Sequence, residues 1–218
     1  MVKLIAKTQG VGDLLGLSVG EIMAYVARVS NPSNQMNHET SAKLLLFCLK
    51  NQHWSVFESA SLTMEIVTSR AIAQQILRHR SFVFQEFSQR YSEAMSVETY
   101  PARRQDTKNR QASVDDMSEE DKDWFLFAQE ETWFAAKQSY DEAIRRGIAK
   151  EQARFLLPLA TQTKLYMTGN VRSWLTYCKL RGGNGTQLEH REIALSCRDV
   201  LLQECPELSE YFKEESNG

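Results

Sequence analysis

Between Arg78 and Tyr91 the chain reads Arg-His-Arg-Ser-Phe-Val-Phe-Gln-Glu-Phe-Ser-Gln-Arg-Tyr, threading three arginines, a histidine and a glutamate among four aromatic rings. Rings at that density (Phe82, Phe84, Phe87 and Tyr91) require at least partial burial, and charges drawn into such a setting need partners. Arginine holds phosphate in a fork of parallel hydrogen bonds, and Ser88 can add a hydroxyl donor. Charge alone is satisfied equally well by a solvated basic turn after a helix. The interleaved rings shift the balance toward a site for a phosphorylated small molecule.

The rest of the chain limits what can surround this segment. A length of 218 residues gives one domain with a substantial core and no seam for a second. With 42% hydrophobic and 25% charged residues, the balance is that of a soluble globular protein. A net charge of −2 and a pI near 6.1 argue against general polyanion or nucleic-acid binding, so anion recognition must be local. No stretch approaches the roughly 20 apolar residues of a membrane span, and Met1 to Gly10 lacks the features of a signal peptide. A cytoplasmic setting is therefore expected. Cys48, Cys178, Cys197 and Cys205 form no C-x-x-C pair and have no histidine at zinc-finger spacing. They read as reduced structural thiols, and no metal site is expected.

Patterning orders the elements. Lys3 to Ala6 is a strand, Glu21 to Val29 a helix ending before Asn31-Pro32, and Thr40 to Leu49 a second helix. Leu62, Met64 and Ile66 alternate with Thr63, Glu65 and Val67 as a strand does. Ser69 caps a helix running to about Arg78, which delivers the basic segment. From about residue 100 to 121 the chain is polar, basic first and acidic after, and is expected to be a mobile loop. Ser118 opens a long amphipathic helix that Gly147 closes, and Ile148 to Leu157 resumes as helix until Pro158. A strand from Thr163 to Thr168, a helix from Val171 to Leu180, a glycine-rich turn over residues 182–185 and a helix from Gln187 to Glu204 complete the chain. The class is α/β or α+β, helix-rich, with a small mixed sheet.

The spacing Arg78-His79-Arg80, seven residues, then Ser88 is similar to the R-H-R-x(7)-S signature of flavin-dependent thymidylate synthases, and Gln89-Arg90-Tyr91 continues that family's S-x-R-Y ending. His53-Trp54-Ser55-Val56-Phe57-Glu58 resembles its H-x-[ST]-x-F-E block, and Ala153 to Pro158 its A-R-x-x-L-P block. Asn170-Val171-Arg172 and Leu180-Arg181 resemble its N-x-R and L-R positions. In order, these blocks cover about 130 residues.

The resemblance implies reductive methylation of dUMP to dTMP, with 5,10-methylenetetrahydrofolate as carbon donor, FAD as cofactor and NADPH as electron source, in a homotetramer whose sites are shared between subunits. It implies FAD contacts from His53, Ser55, Arg78, His79, Arg80, Glu86, Asn170, Val171, Arg172 and Thr176. It places Gln75, Arg78, Glu86, Phe87, Ser88, Gln89, Arg90, Arg154 and Arg181 at dUMP. Arg181 is the implied catalytic residue, a cation that favours loss of the uracil ring proton. On the predicted helix Gln75 and Arg78 share a face, and in an extended segment Glu86, Ser88 and Arg90 point to one side. His79, between two arginines, is expected to stay neutral.

Three positions depart from the family pattern: Gln85 where Asn is usual, Thr176 where Asn or His is usual, and Gly185 where His is common. Two other readings use the same residues. One is a non-catalytic nucleotide- or RNA-binding module that keeps the basic pocket; the other is a hydrolase with Ser88 as nucleophile, for which no histidine base is placed.

Overall fold

A computed structural model describes residues 1–93, 96–110 and 112–213. Position 111 of the expected loop and residues 214–218 of the expected domain lie outside them. The elements follow in order: β1 (Val2–Lys7), α1 (Val19–Ala27), α2 (Ser41–Lys50), β2 (Ser61–Ser69), α3 (Arg70–Ile76), β3 (Val83–Glu86), β4 (Arg104–Gln105), β5 (Ser113–Val114), α4 (Glu119–Arg145), α5 (Lys150–Ala153), β6 (Gln162–Asn170), α6 (Val171–Gly182), α7 (Leu188–Glu204) and α8 (Glu210–Lys213).

The main sheet has the order β1-β2-β6-β3, and every neighbouring pair is antiparallel. The fold is α+β. This corrects the expected mixed sheet: period-two alternation reveals a strand but not the direction of its partner. Leu62, Met64, Ile66 and Thr68 of β2 are buried, and the register sets them opposite Gly169, Met167, Leu165 and Thr163 of β6, also buried. One face is thus wholly apolar apart from threonine, as a half-covered antiparallel sheet requires. Gly169 is fixed by packing, since a Cβ there would lie 2.4 Å from the Phe82 ring.

Two helices leave the sheet without a loop. Ser69, last in β2, accepts a hydrogen bond from Ile72 N and starts α3; Asn170, last in β6, accepts from Ser173 N at 2.8 Å and starts α6. Because β2 and β6 are antiparallel, with Ser69 opposite Gln162 and Ser61 opposite Asn170, the helices start at opposite ends of the sheet. Trp174, fully buried, anchors α6 by donating its indole N–H to Leu62 O at 3.2 Å and packing edge-on against Phe82. Helix α7 covers α6 and adds Ile193, Ala194, Cys197 and Leu201 to the core.

Three expected elements take a different form. Helix α3 stops at Ile76, so Arg78 lies beyond it and the helical face shared with Gln75 does not reach that far. The helix expected from Ile148 to Leu157 is only the four-residue α5 followed by a 3-10 turn, Arg154–Leu156. The position before Pro158 is driven out of helical geometry, and Leu157 is extended at φ −89°, ψ 138°. The polar stretch expected as a loop contains the β4–β5 ribbon. Tyr100 and Gln129 hold it to α4 by two hydrogen bonds, Tyr100 N to Gln129 Oε1 at 3.1 Å and Gln129 Nε2 to Tyr100 O at 2.8 Å.

Candidate functional site

The C-terminal ends of α3 and α6 come together where the basic segment begins. A helix C-terminus carries a partial negative charge and favours cations, which is a physical reason for Arg78, His79 and Arg80 after α3 and Arg181 in the last turn of α6. Arg181 donates its Nε–H to Nε2 of His79 at 3.0 Å. His79 must therefore be neutral with its proton on Nδ1. Burial first, and the Arg181 charge second, hold its pKa below the ordinary histidine value. The expectation of a neutral His79 agrees with this, and the bond fixes the Arg181 guanidinium by one edge. Tyr177 presses edge-on against His79 at 4.9 Å from the other side.

Arg78 and Arg80 are exposed and, among the described residues, pair with no carboxylate. Uncompensated cations beside two helix ends suit an anionic ligand such as a diphosphate. Gln75, in the last turn of α3, is turned inward: its Nε2 donates to Gln187 Oε1 at 2.7 Å and its Oε1 meets His190 Nδ1 at 3.2 Å.

A second group forms around the turn after β3. The strand ends at Glu86, whose Oε1 accepts from Thr163 Oγ1 at 2.9 Å and faces Arg70 at 3.5 Å. Phe87 keeps one more sheet bond, N to Lys164 O at 2.8 Å. Ser88 then closes a turn, its carbonyl accepting from both Tyr91 N and Ser92 N and its Oγ accepting from Arg90 N. The extended alternation expected for Glu86, Ser88 and Arg90 is therefore replaced by a tight turn, which the closely spaced polar residues favour. Gln89 is buried, and among the described residues its Nε2 has no hydrogen-bond partner. Arg90 and Arg154 converge on Glu151: Arg90 Nη2 is 3.4 Å from its carboxylate, and Arg154 Nε donates to its carbonyl at 3.2 Å. Such an exposed pair is weak, and a phosphate dianion can displace it.

A third group sits at the N-terminal end of α6. His53, just before the 3-10 turn Trp54–Glu58, and Ser55 within it are exposed, with the His53 ring edge-on to Phe47 at 5.8 Å. Arg172 pairs with Glu58 and stacks over Trp54 at 5.8 Å. Thr176 is exposed and bonds back to Arg172 O at 3.0 Å. The Asn170 side chain is engaged as the helix cap, and Val171 is fully buried with its N–H donated to Ala60 O. Gly185 projects into open space.

Within one chain the third group stands apart from the other two. Arg172 and Arg181 are nine residues along α6, about 14 Å. Phe87, just before the Ser88 turn, bonds to Lys164, and Asn170 lies six residues further along β6, about 20 Å away. The sequence reading missed His190, Tyr177, Gln187, Glu189 and Arg103, which surround Gln75 and its neighbours. One signal was available: His190 lies on the helical stripe with Ile193, Ala194 and Cys197, so a histidine had to be buried there. All four cysteines are free and buried, and burial raises every thiol pKa. No thiolate nucleophile is at hand.

The family model described as thymidylate synthase complementing protein matches residues 18–207. The flavin-dependent thymidylate synthase of Synechocystis sp. is 52% identical over 202 residues, covering 93% of each chain. A Paramecium bursaria Chlorella virus 1 protein named "Probable flavin-dependent thymidylate synthase" is 48% identical over 208 residues, covering 95% of this chain and 96% of its own. Among solved structures, a UMP/dUMP methylase, PolB from Streptomyces cacaoi bound with 5-Br dUMP, shares the fold with a TM-score of 0.83. It is 22% identical, over 98% of this chain and 94% of its own. None of these relatives supports a non-catalytic binding module. Their coverage joins the basic segment, the neutral His79 and the Arg181 beside it in one setting, and the chain belongs to the flavin-dependent thymidylate synthase family.

Proposed function

We propose that the chain methylates dUMP to dTMP, taking the carbon from 5,10-methylenetetrahydrofolate and the electrons from NADPH through FAD, and releasing tetrahydrofolate. The observation that carries this reading is the Arg181–His79 bond at the meeting of two helix ends. It fixes a permanent cation by one edge and leaves its outer nitrogens for a substrate. A fixed cation beside a uracil ring favours the ring anion and so raises electron density at the carbon to be methylated. No thiolate is then needed. FAD, when bound, would supply the hydride.

The residues fit FAD. Uncompensated Arg78 and Arg80 suit its diphosphate, exposed His53 and Ser55 offer a flat ring and a hydroxyl, and Arg172 and Thr176 line the same helix end. Asn170 and Val171 support that end from inside. Neutral His79 keeps an Nδ1–H to donate. Ser88, Arg90 and Arg154, with Phe87 and buried Gln89 behind them, would grip dUMP at its phosphate, and Gln75 and Glu86 would orient it.

The separation of these groups favours a site completed by other copies, as in a homotetramer. Helix α4 exposes Trp124, Phe127 and Phe134 on one stripe, at 66%, 60% and 59%, a large apolar face for a surface helix. A net charge of −2 gives no general attraction for nucleic acid, and no helix among the described residues is long and apolar enough to cross a membrane. The cytoplasm remains the setting this reading assumes.

Arg181→Ala tests the assignment. Flavin reduction by NADPH should persist while single-turnover methylation falls on the order of a hundredfold, since the lost bond acts on charge built up in the transition state. Arg90→Ala should instead raise the dUMP concentration for half-maximal rate more than it lowers the saturated rate. A normal saturated rate in Arg181→Ala would overturn the role given to that residue.

A further inference from the structure

Behind Gln75 runs an unbroken chain of five hydrogen bonds whose direction is set from one end. Arg103, on the segment leading into β4, pairs with one oxygen of the buried Glu189 carboxylate. A guanidinium can only donate and an ionised carboxylate can only accept. The other oxygen, Oε2, lies 2.9 Å from the side chain of Gln187, which must therefore present its N–H there and its carbonyl outward. That carbonyl is 2.7 Å from Gln75, so Gln75 must present its own N–H to it. The Gln75 carbonyl is left facing His190 Nδ1 at 3.2 Å, which must carry the proton. Nε2 of the neutral ring then accepts from the Tyr177 hydroxyl at 3.2 Å. Each link admits one orientation because the link before it does, and His190 and Tyr177 are shielded from water that could substitute for a partner.

We propose that this chain holds the Gln75 amide in a single orientation for the nucleotide, with His190 and Glu189 as positioning residues for substrate binding. The proposal rests on the placement of Gln75 at dUMP made above. Gln75 keeps one N–H and one oxygen lone pair beyond those the chain uses. With the amide locked, the pair is offered to the ligand in one order only, and no binding energy is lost to selecting it. An amide without these partners would be free both to turn over and to swing from its place, and binding would have to fix both. Tyr177 also touches His79, so the chain ends against the residue that fixes Arg181.

Nitrogen-15 NMR of histidine-labelled holoenzyme tests the chain without substrate, since the protein has four histidines and His190→Asn identifies the signal. His190 should show a protonated Nδ1 and a bare Nε2. Glu189→Gln, whose carbonyl must face Arg103 and whose N–H then takes the place of Oε2 toward Gln187, should turn every link round and move the His190 proton to Nε2. In kinetics, His190→Leu leaves Gln187 to set the order but removes the hold on the Gln75 carbonyl, so the amide can swing out of place, and it should raise the KM for dUMP about tenfold with kcat and flavin reduction by NADPH within about twofold. His190→Asn, whose side-chain N–H can reach the Gln75 carbonyl, should recover most of that loss. A wild-type ring protonated on Nε2 would overturn the proposal, as would a dUMP KM in His190→Leu equal to wild type or an Asn variant as poor as Leu. If the wild-type enzyme takes no dUMP at all, the functional reading fails, and the NMR result still decides whether the chain of bonds exists.

Discussion

Strand β2 and helix α4 are built on opposite plans. Along the nine residues of β2 five side chains are buried, and their partners lie in the same chain. Along the 27 residues of α4 only Tyr140 and Ala143 are buried, both near its C-terminal end with Ala153, while large apolar side chains face outward. The sheet with α6 and α7 is a finished unit; the α4 arm is an unfinished one. The neutral histidines and the Arg181 contact belong to the first. The phosphate-gripping candidates Arg90 and Arg154 sit on turns beside exposed Tyr91 and Phe155. Under the proposed function, catalytic orientation would come from an internal core, whereas substrate capture would be left to surfaces that association would complete.

This contrast is open to test, beginning where the chain's own stability should change most. Trp174→Ala removes the largest fully buried side chain and its bond to Leu62 O, and should cost about 4 kcal/mol by urea unfolding at fixed protein concentration. A loss under 1 kcal/mol would show that the sheet and α6 are not the stabilising unit.

Acid should act on the same half with a slightly smaller effect. Burial first, then the Arg181 charge, lowers the pKa of His190 from 6.5 to about 4. Above pH 6.5 neither the folded nor the unfolded chain binds this proton, so the full stability is present. Between 6.5 and about 4 the unfolded chain binds it and the folded one resists, so stability falls with falling pH, by about 3 kcal/mol in total. Unfolding midpoints of wild type and His190→Asn at pH 7 and 4.5 measure this, and the variant should show a shallower loss.

The smallest effect on the chain itself should come from α4. Trp124→Ser combined with Phe127→Ser should shift the unfolding free energy of the dissociated chain by less than about 0.5 kcal/mol. Sedimentation should nevertheless show loss of the oligomer, and methylation should disappear with it. A double variant that stays assembled, or that unfolds, would erase the contrast between the two regions.

Much of this was legible in the sequence because its causes are local. Ser69 and Ser118 were recognisable as caps, and both accept the expected hydrogen bond. The alternation of Leu62, Met64 and Ile66 marked a strand with one covered face. What escaped depends on distant partners. The reversal of every strand against its neighbour is set by pairing, and the early end of α3 by the inward turn of His79 toward Arg181 and Tyr177. The chain of bonds from Arg103 to Tyr177, buried at its His190 end, joins positions 74 residues apart, and no spacing rule reveals it. Of the site, the motif residues were visible, while the groups that orient them were not.

The four thiols carry a further consequence. Cys48 lies in α2, Cys178 in α6, Cys197 in α7 and Cys205 just past its end, all within the core cluster. A membrane-neutral alkylating reagent cannot reach them while the core is closed, so the rate at which they are capped becomes a clock for how often that core opens. Because the α4 arm contains no cysteine, the clock is blind to its motions and counts only openings of the half that holds Arg181.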